Sequence, residues 1–265
     1  MGEFADGLVA VPLIWRVPAG AILGAIIGSF LATLAIRWPQ DQSASSGRSR
    51  CDSCGQTLGI VDLIPLVGYL VNRGRCRKCQ AAISLLHPLT EILAAVIGAV
   101  AIAIHPNGVG LFGAAFGWAL LLLAILDLRH FWLPDRVTLP LVLAGLGSAW
   151  LFAAPSLLSA AIGAASGYLL LTLINLLYRS LRGQDGLGGG DAKLMAAIGA
   201  WLGWEMLPLI LLLASTTGLI VVLVFALRGR AVTAVDRLPF GAFLAIVAWP
   251  LWIARDALSG ILPGL

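Results

Sequence analysis

Apolar runs about as long as a bilayer core is thick recur along this chain, and they fix its solvent. Only 11% of its 265 residues are charged and its mean hydropathy is +0.97. A soluble domain carries roughly 25% charged residues, so a surface this poor in charge belongs in lipid. Runs of about 20 apolar residues cross a bilayer as helices. Such runs lie near residues 11–36, 86–104, 109–127, 137–153, 156–178, 192–205, 207–227 and 239–257. The expected fold class is all-α: a polytopic membrane protein of about eight transmembrane helices. The sixth and seventh runs are short for two crossings, with Gly203 and Pro208 as the break between them. The first residues hold Glu3 and Asp6 but no Lys or Arg, unlike a secretory signal, so the first run reads as a permanent span.

Eight crossings also give a charge pattern that seven would scramble. All of the 17 Lys and Arg residues except Arg16 and Arg255 then fall on one face. Basic residues concentrate in cytoplasmic loops, so that face is expected to be cytosolic and both termini outside. The expected domains are residues 1–37 as the first transmembrane helix, 38–85 as a cytosolic loop domain, and 86–265 as a multi-span catalytic domain. Membrane lipid is the expected surrounding, and nucleic acid is not an expected partner.

The loop at 38–85 is too polar to span and too small to build much of a core, and domains of about 40 residues usually need disulfides or a metal. All 4 cysteines sit in it, as Cys51-Asp-Ser-Cys54 and Cys76-Arg-Lys-Cys79. Two C-x2-C pairs can set four thiolates tetrahedrally around zinc, with Sγ about 2.3 Å from the metal. Two disulfides are the alternative; a cytosolic loop keeps its thiols reduced, which favours zinc. Four sulfur ligands leave no open position, so the zinc is expected to be structural.

The 13 acids can be weighed singly. Glu3, Asp6, Asp41, Asp52, Glu205 and Asp256 read as loop or terminal residues that are merely solvated. Asp127 closes the apolar run 120–126, and an acid at the edge of the membrane is a functional candidate by default. A salt bridge to Arg129 or Arg136 is the plain alternative. Asp191 ends Gly186-Leu-Gly188-Gly189-Gly190-Asp191 and starts a helical run, where N-capping is the plain alternative. Together the two suggest paired-carboxylate hydrolysis of an amide. Asp127, at a helix C-terminus, is expected to hold its proton, and Asp191, at an N-terminus, to lose it. Asp135 competes, but its place before the run 137–143 suits a structural cap. His130 lies near Asp127 and can tune it; His87 and His105 read as structural.

These residues resemble, along nearly the whole chain, the bacterial type IV prepilin peptidases, which are bifunctional leader peptidase/N-methyltransferases of the GxGD aspartyl protease type. Gly28-Ser-Phe30-Leu is similar to the family's opening motif. Arg50-Cys51-x-x-Cys54-Gly55, Asp62-x-Ile64-Pro65-Leu66 and Gly74-Arg75-Cys76-Arg77-x-Cys79 resemble its zinc loop. Pro88-x-x-Glu91 enters the second span as in the family, Asp127…Leu133-Pro134-Asp135 resembles the segment of the first catalytic aspartate, and Gly188-x-Gly190-Asp191-x-Lys193 the GxGD signature.

The resemblance implies catalytic Asp127 and Asp191, with Gly188, Gly190 and Lys193 supporting the loop. It implies zinc on Cys51, Cys54, Cys76 and Cys79, and links Asp62 and Glu91 to methylation. The implied substrates are prepilins or pseudopilins, cut after Gly on the cytosolic side of the inner membrane, and the implied methyl donor is S-adenosylmethionine. Departures fall in or near the loop tied to methylation: Asp52 replaces the usual Pro, Leu63 an Asn, Gln80 a Gly, Leu85-Leu86-His87 an aromatic and a basic residue, and Asp185 a Glu. No G-x-G-x-x-G follows a strand to support a donor site independently. The alternatives are a peptidase without methylation, and a non-enzymatic transporter or scaffold whose acids carry protons or bridge arginines.

Overall fold

A computed structural model describes residues 11–43, 49–51, 53–183, 186–229 and 238–259. Glu3, Asp6, Arg48, Asp52, Asp185, Arg230 and Arg237 lie outside the described residues. Eight long helices occupy the eight expected runs: α1 (Leu13–Arg37), α2 (Leu86–Ile104), α3 (Gly108–His130), α4 (Asp135–Phe152), α5 (Leu157–Arg182), α6 (Gly189–Leu202), α7 (Leu207–Leu227) and α8 (Phe240–Ser259). Among the described residues there is no strand, only two isolated β-bridges in the cysteine loop. Six helical segments, all but α4 and α6, are long and apolar enough to cross a membrane. Helix α6 has 14 residues, about 21 Å of rise against a hydrocarbon core of about 30 Å, so it does not cover the core alone.

The chain forms two compact units, residues 1–122 and 123–265. In the first, α1 and α2 pair along a seam of small residues. Gly20, Gly24 and Gly28 recur every fourth position, and a Cβ on them would press into the backbone of α2 at Gly98, Ala94 and Thr90 respectively. Lipid tails are as apolar as the helices, so such close backbone contact, rather than hydrophobic exclusion, holds helices together in a bilayer. Trp118 of α3 adds an indole N–H bond to the Ala94 carbonyl, 2.9 Å.

In the second unit, α6 is the central element. It packs against α4, α5 and α8, and from Asp191 to Leu202 every residue but Lys193 is buried. A helix apolar all round belongs in a protein core or in lipid, and this one, too short to cover the hydrocarbon core alone, is held in the protein. Gly163 of α5 and Gly199 of α6 lie backbone to backbone, and the Trp201 indole donates to the Leu141 carbonyl of α4 at 2.9 Å. This ring carries Asp191 into the interior at the N-terminus of α6. At the far end Glu205 is more than a solvated loop acid: its carboxylate accepts the Ser159 hydroxyl at 2.5 Å.

Candidate active site and zinc loop

Asp127 lies in the last turn of α3, which runs on to His130 before Phe131, at φ 50°, breaks it. Asp191 is the third residue of α6. It is not the N-cap residue, which is Gly188, but it caps from the third position: the Asp191 carboxylate accepts the Gly188 N–H at 3.0 Å. Both side chains are buried, 5% exposed for Asp127 and 7% for Asp191.

The N-terminus of α8 brings them together. The Ala242 N–H donates to Asp127 Oδ2 at 2.8 Å. A Cβ placed on Gly241 would lie 2.8 Å from Asp191 Oδ1 and 3.1 Å from Asp127 Oδ2. Those two oxygens are therefore no more than about 6 Å apart, within the spread over which two carboxyls can act on one water. The protonation asymmetry expected from helix ends does not carry over. Each carboxyl accepts an N–H from the start of a helix, Asp191 from its own and Asp127 from α8.

The other predicted residues fall into place around the pair. Lys193 reaches Asp135 with bonds of 2.6 and 2.7 Å, tying the first turns of α4 and α6. Gly190 packs on Leu133, where a Cβ would meet the Leu133 Cβ at 2.8 Å. Sequence reasoning missed three residues here. Gly241 and Ala242 follow Pro239 and Phe240 at the start of the last helix, and that Pro-Phe-Gly entry was the available signal. Asn175, a lone amide in the apolar stretch 169–178, accepts the N–H groups of Gly186 and Leu187 at 3.0 Å each and so anchors the glycine loop.

In the first unit the four cysteines form one cluster, their ligand atoms all within 4.8 Å of one another. Cys51 Sγ and Cys79 Sγ are 3.9 Å apart. That is far longer than a disulfide, and tetrahedral sulfurs at 2.3 Å from zinc are about 3.8 Å apart. The donor set therefore fits zinc. Each C-x2-C builds the same turn. Cys51 N–H bonds Gln56 O and Gly55 N–H bonds Cys51 O; Cys76 N–H bonds Ala81 O and Gln80 N–H bonds Cys76 O. The bridges Arg50–Thr57 and Arg75–Ala82 close them alike. This is an internal repeat of backbone geometry, of which residue identities display only the Arg-Cys-x2-Cys core. Backbone N–H groups of Cys79 and Lys78 hold the Cys76 thiol down to about 6, while, against an Ala81 N–H, burial and the other three thiols push Cys79 up to about 11.

Beside the cluster, the two short helices Ile60–Leu63 and Val67–Val71 form one wall of a cavity of about 730 Å³. Asp62 and Glu91 both line it, with Phe30, Arg37, Tyr69 and Arg77. Asp62 accepts from Asn72 at 2.8 Å and from the Gly59 N–H at 3.0 Å, and pairs with Arg77 at 3.0 Å. The Asn72 amide, then the Gly59 N–H and Arg77, outweigh burial and hold the Asp62 carboxyl below the usual carboxylate range. Glu91, 5% exposed, accepts the Leu66 N–H at 2.8 Å and pins a residue at φ 61°.

Two buried carboxyls meeting at helix ends of an all-helical membrane protein have the geometry that paired-carboxylate hydrolysis needs, and a separate cysteine loop has the donor set of a metal site. Comparison with known proteins narrows this reading. Residues 22–105 match the bacterial peptidase A24 N-terminal domain and residues 114–223 the type IV leader peptidase family. A prepilin leader peptidase/N-methyltransferase of Burkholderia pseudomallei (strain 1026b) is 38% identical over 264 residues, covering 89% of this chain and 84% of the relative. Enzymes of the same name from Aeromonas hydrophila and Pectobacterium carotovorum are 40% and 36% identical, covering 80% and 88% of this chain and 73% and 91% of their own. No solved structure matches the chain. The chain belongs to the type IV leader peptidase family.

Proposed function

We propose that this protein is a membrane aspartyl endopeptidase that removes the basic leader from type IV prepilins or pseudopilins after Gly, then N-methylates the new amino terminus with S-adenosylmethionine. The convergence of Asp127 and Asp191 on one point before Gly241 carries this reading. Both Asp residues stand at helix ends and lie inside the stretch 114–223 that matches the leader peptidase family.

One carboxyl of the pair, ionised, takes a proton from water as its oxygen attacks the scissile carbonyl; the other, protonated, gives its proton to the carbonyl oxygen. The C–N bond then breaks: the first carboxyl gives its proton to the leaving amine, the second takes a proton back from a hydroxyl of the tetrahedral intermediate as the carbonyl reforms, and the pair again holds one proton. Gly188, Gly190 and Asn175 hold the loop against which an extended substrate lies. Lys193, engaged with Asp135, sets the spacing of α4 and α6 rather than touching the substrate.

Zinc on Cys51, Cys54, Cys76 and Cys79 would fold the loop and take no part in the chemistry, since four sulfurs fill its coordination. The cavity beside it fits S-adenosylmethionine in size and charge: the ligand is a sulfonium with an amine and a carboxylate, and the walls offer acids (Asp62, Glu91), bases (Arg37, Arg77) and apolar faces (Phe30, Tyr69). The donor supplies an electrophilic methyl group when bound. Asp62 and Glu91 would hold its cationic groups, and Glu91 would also keep the 64–67 turn in shape. The charge pattern places the loop and both Asp residues at the cytosolic side of the inner membrane.

Co-expression with a tagged prepilin, followed by mass analysis of its amino terminus, tests the reading. The wild type should yield a shortened, methylated product, and Asp127→Asn or Asp191→Asn only the full-length precursor. Processing by either variant would overturn the catalytic assignment. A shortened product without the methyl group would overturn the second activity alone.

A further inference from the structure

We propose that Gly241 is a positioning residue for the cleavage step: its missing side chain leaves open the space in which the attacking water stands between Asp127 and Asp191. The inference rests on those two residues being the catalytic pair. It concerns a position beyond residue 223, where the family match ends.

The nearest atoms to the space are two carboxylate oxygens and a methyl. A Cβ on Gly241 would be 2.8 Å from Asp191 Oδ1, 3.1 Å from Asp127 Oδ2 and 2.7 Å from Leu133 Cδ1. Both acids turn an oxygen toward the spot, so it is polar on two sides and apolar on the third. A water cannot occupy the Cβ point itself, a bond length from Cα. It stands further out in the same direction, where both carboxyls remain within hydrogen-bond reach. A methyl group at Cβ would take that volume.

The neighbours cannot all yield. Leu133 presents the far end of a flexible side chain and can turn away. The carboxyls are held, Asp127 by the Ala242 N–H and Asp191 by the Gly188 N–H. Backbone strain is not the reason for glycine here. Gly241 lies within α8 and is absent from the positive-φ glycines of the described residues. Alanine suits such a backbone better than glycine does. The glycine serves the gap.

Gly241→Ala should bind prepilin with unchanged Kd while kcat falls at least about 100-fold, the size expected when a positioned proton-transfer water is lost. Gly147→Ala, at a helical glycine of α4 with open space around it, should cleave like wild type. The double variant Gly241→Ala/Leu133→Ala separates gap from packing. Removing Leu133 relieves the apolar clash yet leaves the methyl between the carboxyls, so the double variant should stay inactive while Leu133→Ala alone, which carries the same packing loss beside Gly190, still cleaves. Recovery of cleavage in the double variant, or Gly241→Ala within threefold of wild type, would overturn the proposal. If Asp127→Asn or Asp191→Asn still cleaves, the catalytic reading itself falls. If those are dead while Gly241→Ala is active, only the role of Gly241 falls.

Discussion

Replacing Asn175 by Leu separates the anchoring of the glycine loop from the chemistry of the acids. Asn175 sits on α5 among leucines, and its carbonyl oxygen accepts the N–H groups of Gly186 and Leu187 at 3.0 Å each. Leucine branches at Cγ as asparagine does and suits the apolar surroundings and the helix, so α5 itself should lose little. The loop loses two neutral hydrogen bonds of about 0.5–1.5 kcal/mol each, or about 1–3 kcal/mol together. If the ordered loop is the cleavage-competent state, this lowers its relative population by roughly 5- to 150-fold. The low end applies because Gly186 is exposed and water can replace the protein acceptor. Prepilin cleavage in detergent, with kcat and KM separated, should show a loss of about fivefold to tenfold. Asp127 and Asp191 are untouched, so the pH dependence of the residual rate should keep its shape. Methylation of an already cleaved pilin should proceed at the wild-type rate. A cleavage rate within twofold of wild type would refute the reasoning and leave Asn175 a bystander.

Two further outcomes are expected in the cysteine loop. Gln80 occupies the left-handed region at φ 57°, where its counterpart in the other turn is Gly55 at φ 67°. A left-handed L-residue costs roughly 1–2 kcal/mol, and glycine's extra freedom in the unfolded chain returns about half of that. Gln80→Gly should therefore stabilise the loop by up to about 1 kcal/mol, read as slower zinc release to a chelator. The second concerns acid. Asp62 has its carboxyl lowered by Asn72, Gly59 and Arg77. A lowered folded-state value stabilises above the unfolded value near 3.9 and is lost as pH falls through the folded one. Melts from pH 6 to 3 also fall as the zinc thiolates take up protons, so the Asp62 contribution is read as the difference between wild type and Asp62→Asn, which should be steady above about pH 4 and shrink below it.

The helices were legible because each is a run of apolar residues, and in a bilayer that property alone makes a helix. The acids were legible because carboxyls are rare in such runs. The zinc loop was legible from two C-x2-C pairs, but the likeness of its two turns was not. That likeness lies in backbone bonds and in a left-handed residue that is glycine in one turn and glutamine in the other. Gly241 was illegible for a different reason: an open space carries no residue type, and it takes meaning only when Asp127 and Asp191 are seen to face it. The seam of Gly20, Gly24 and Gly28 was present in the sequence at helical spacing, yet only the backbone of α2 against it shows what the spacing is for. The length of α6 was visible too, but that it lies ringed by α4, α5 and α8 depends on contacts between residues far apart in the chain.

The two carboxyls also solve a problem that any helix beginning in an apolar interior creates. The first turn of a helix leaves N–H groups without partners, and leaving one buried and unpaired costs about 1–3 kcal/mol. Here the acids are the partners: Asp191 receives the Gly188 N–H and Asp127 the Ala242 N–H. The same residues that are expensive to place near lipid therefore complete the starts of α6 and α8. Asparagine preserves this, because its carbonyl oxygen accepts the same N–H, while alanine strands the donor. Loss of cleavage in the two Asp→Asn variants thus reports on chemistry, whereas the same loss in Asp→Ala variants mixes chemistry with an unpaired backbone group. A melting temperature unchanged in Asn and lowered in Ala at Asp127, whose donor Ala242 is buried, with a smaller drop at Asp191, whose donor Gly188 is open to water, is the pattern this argument requires.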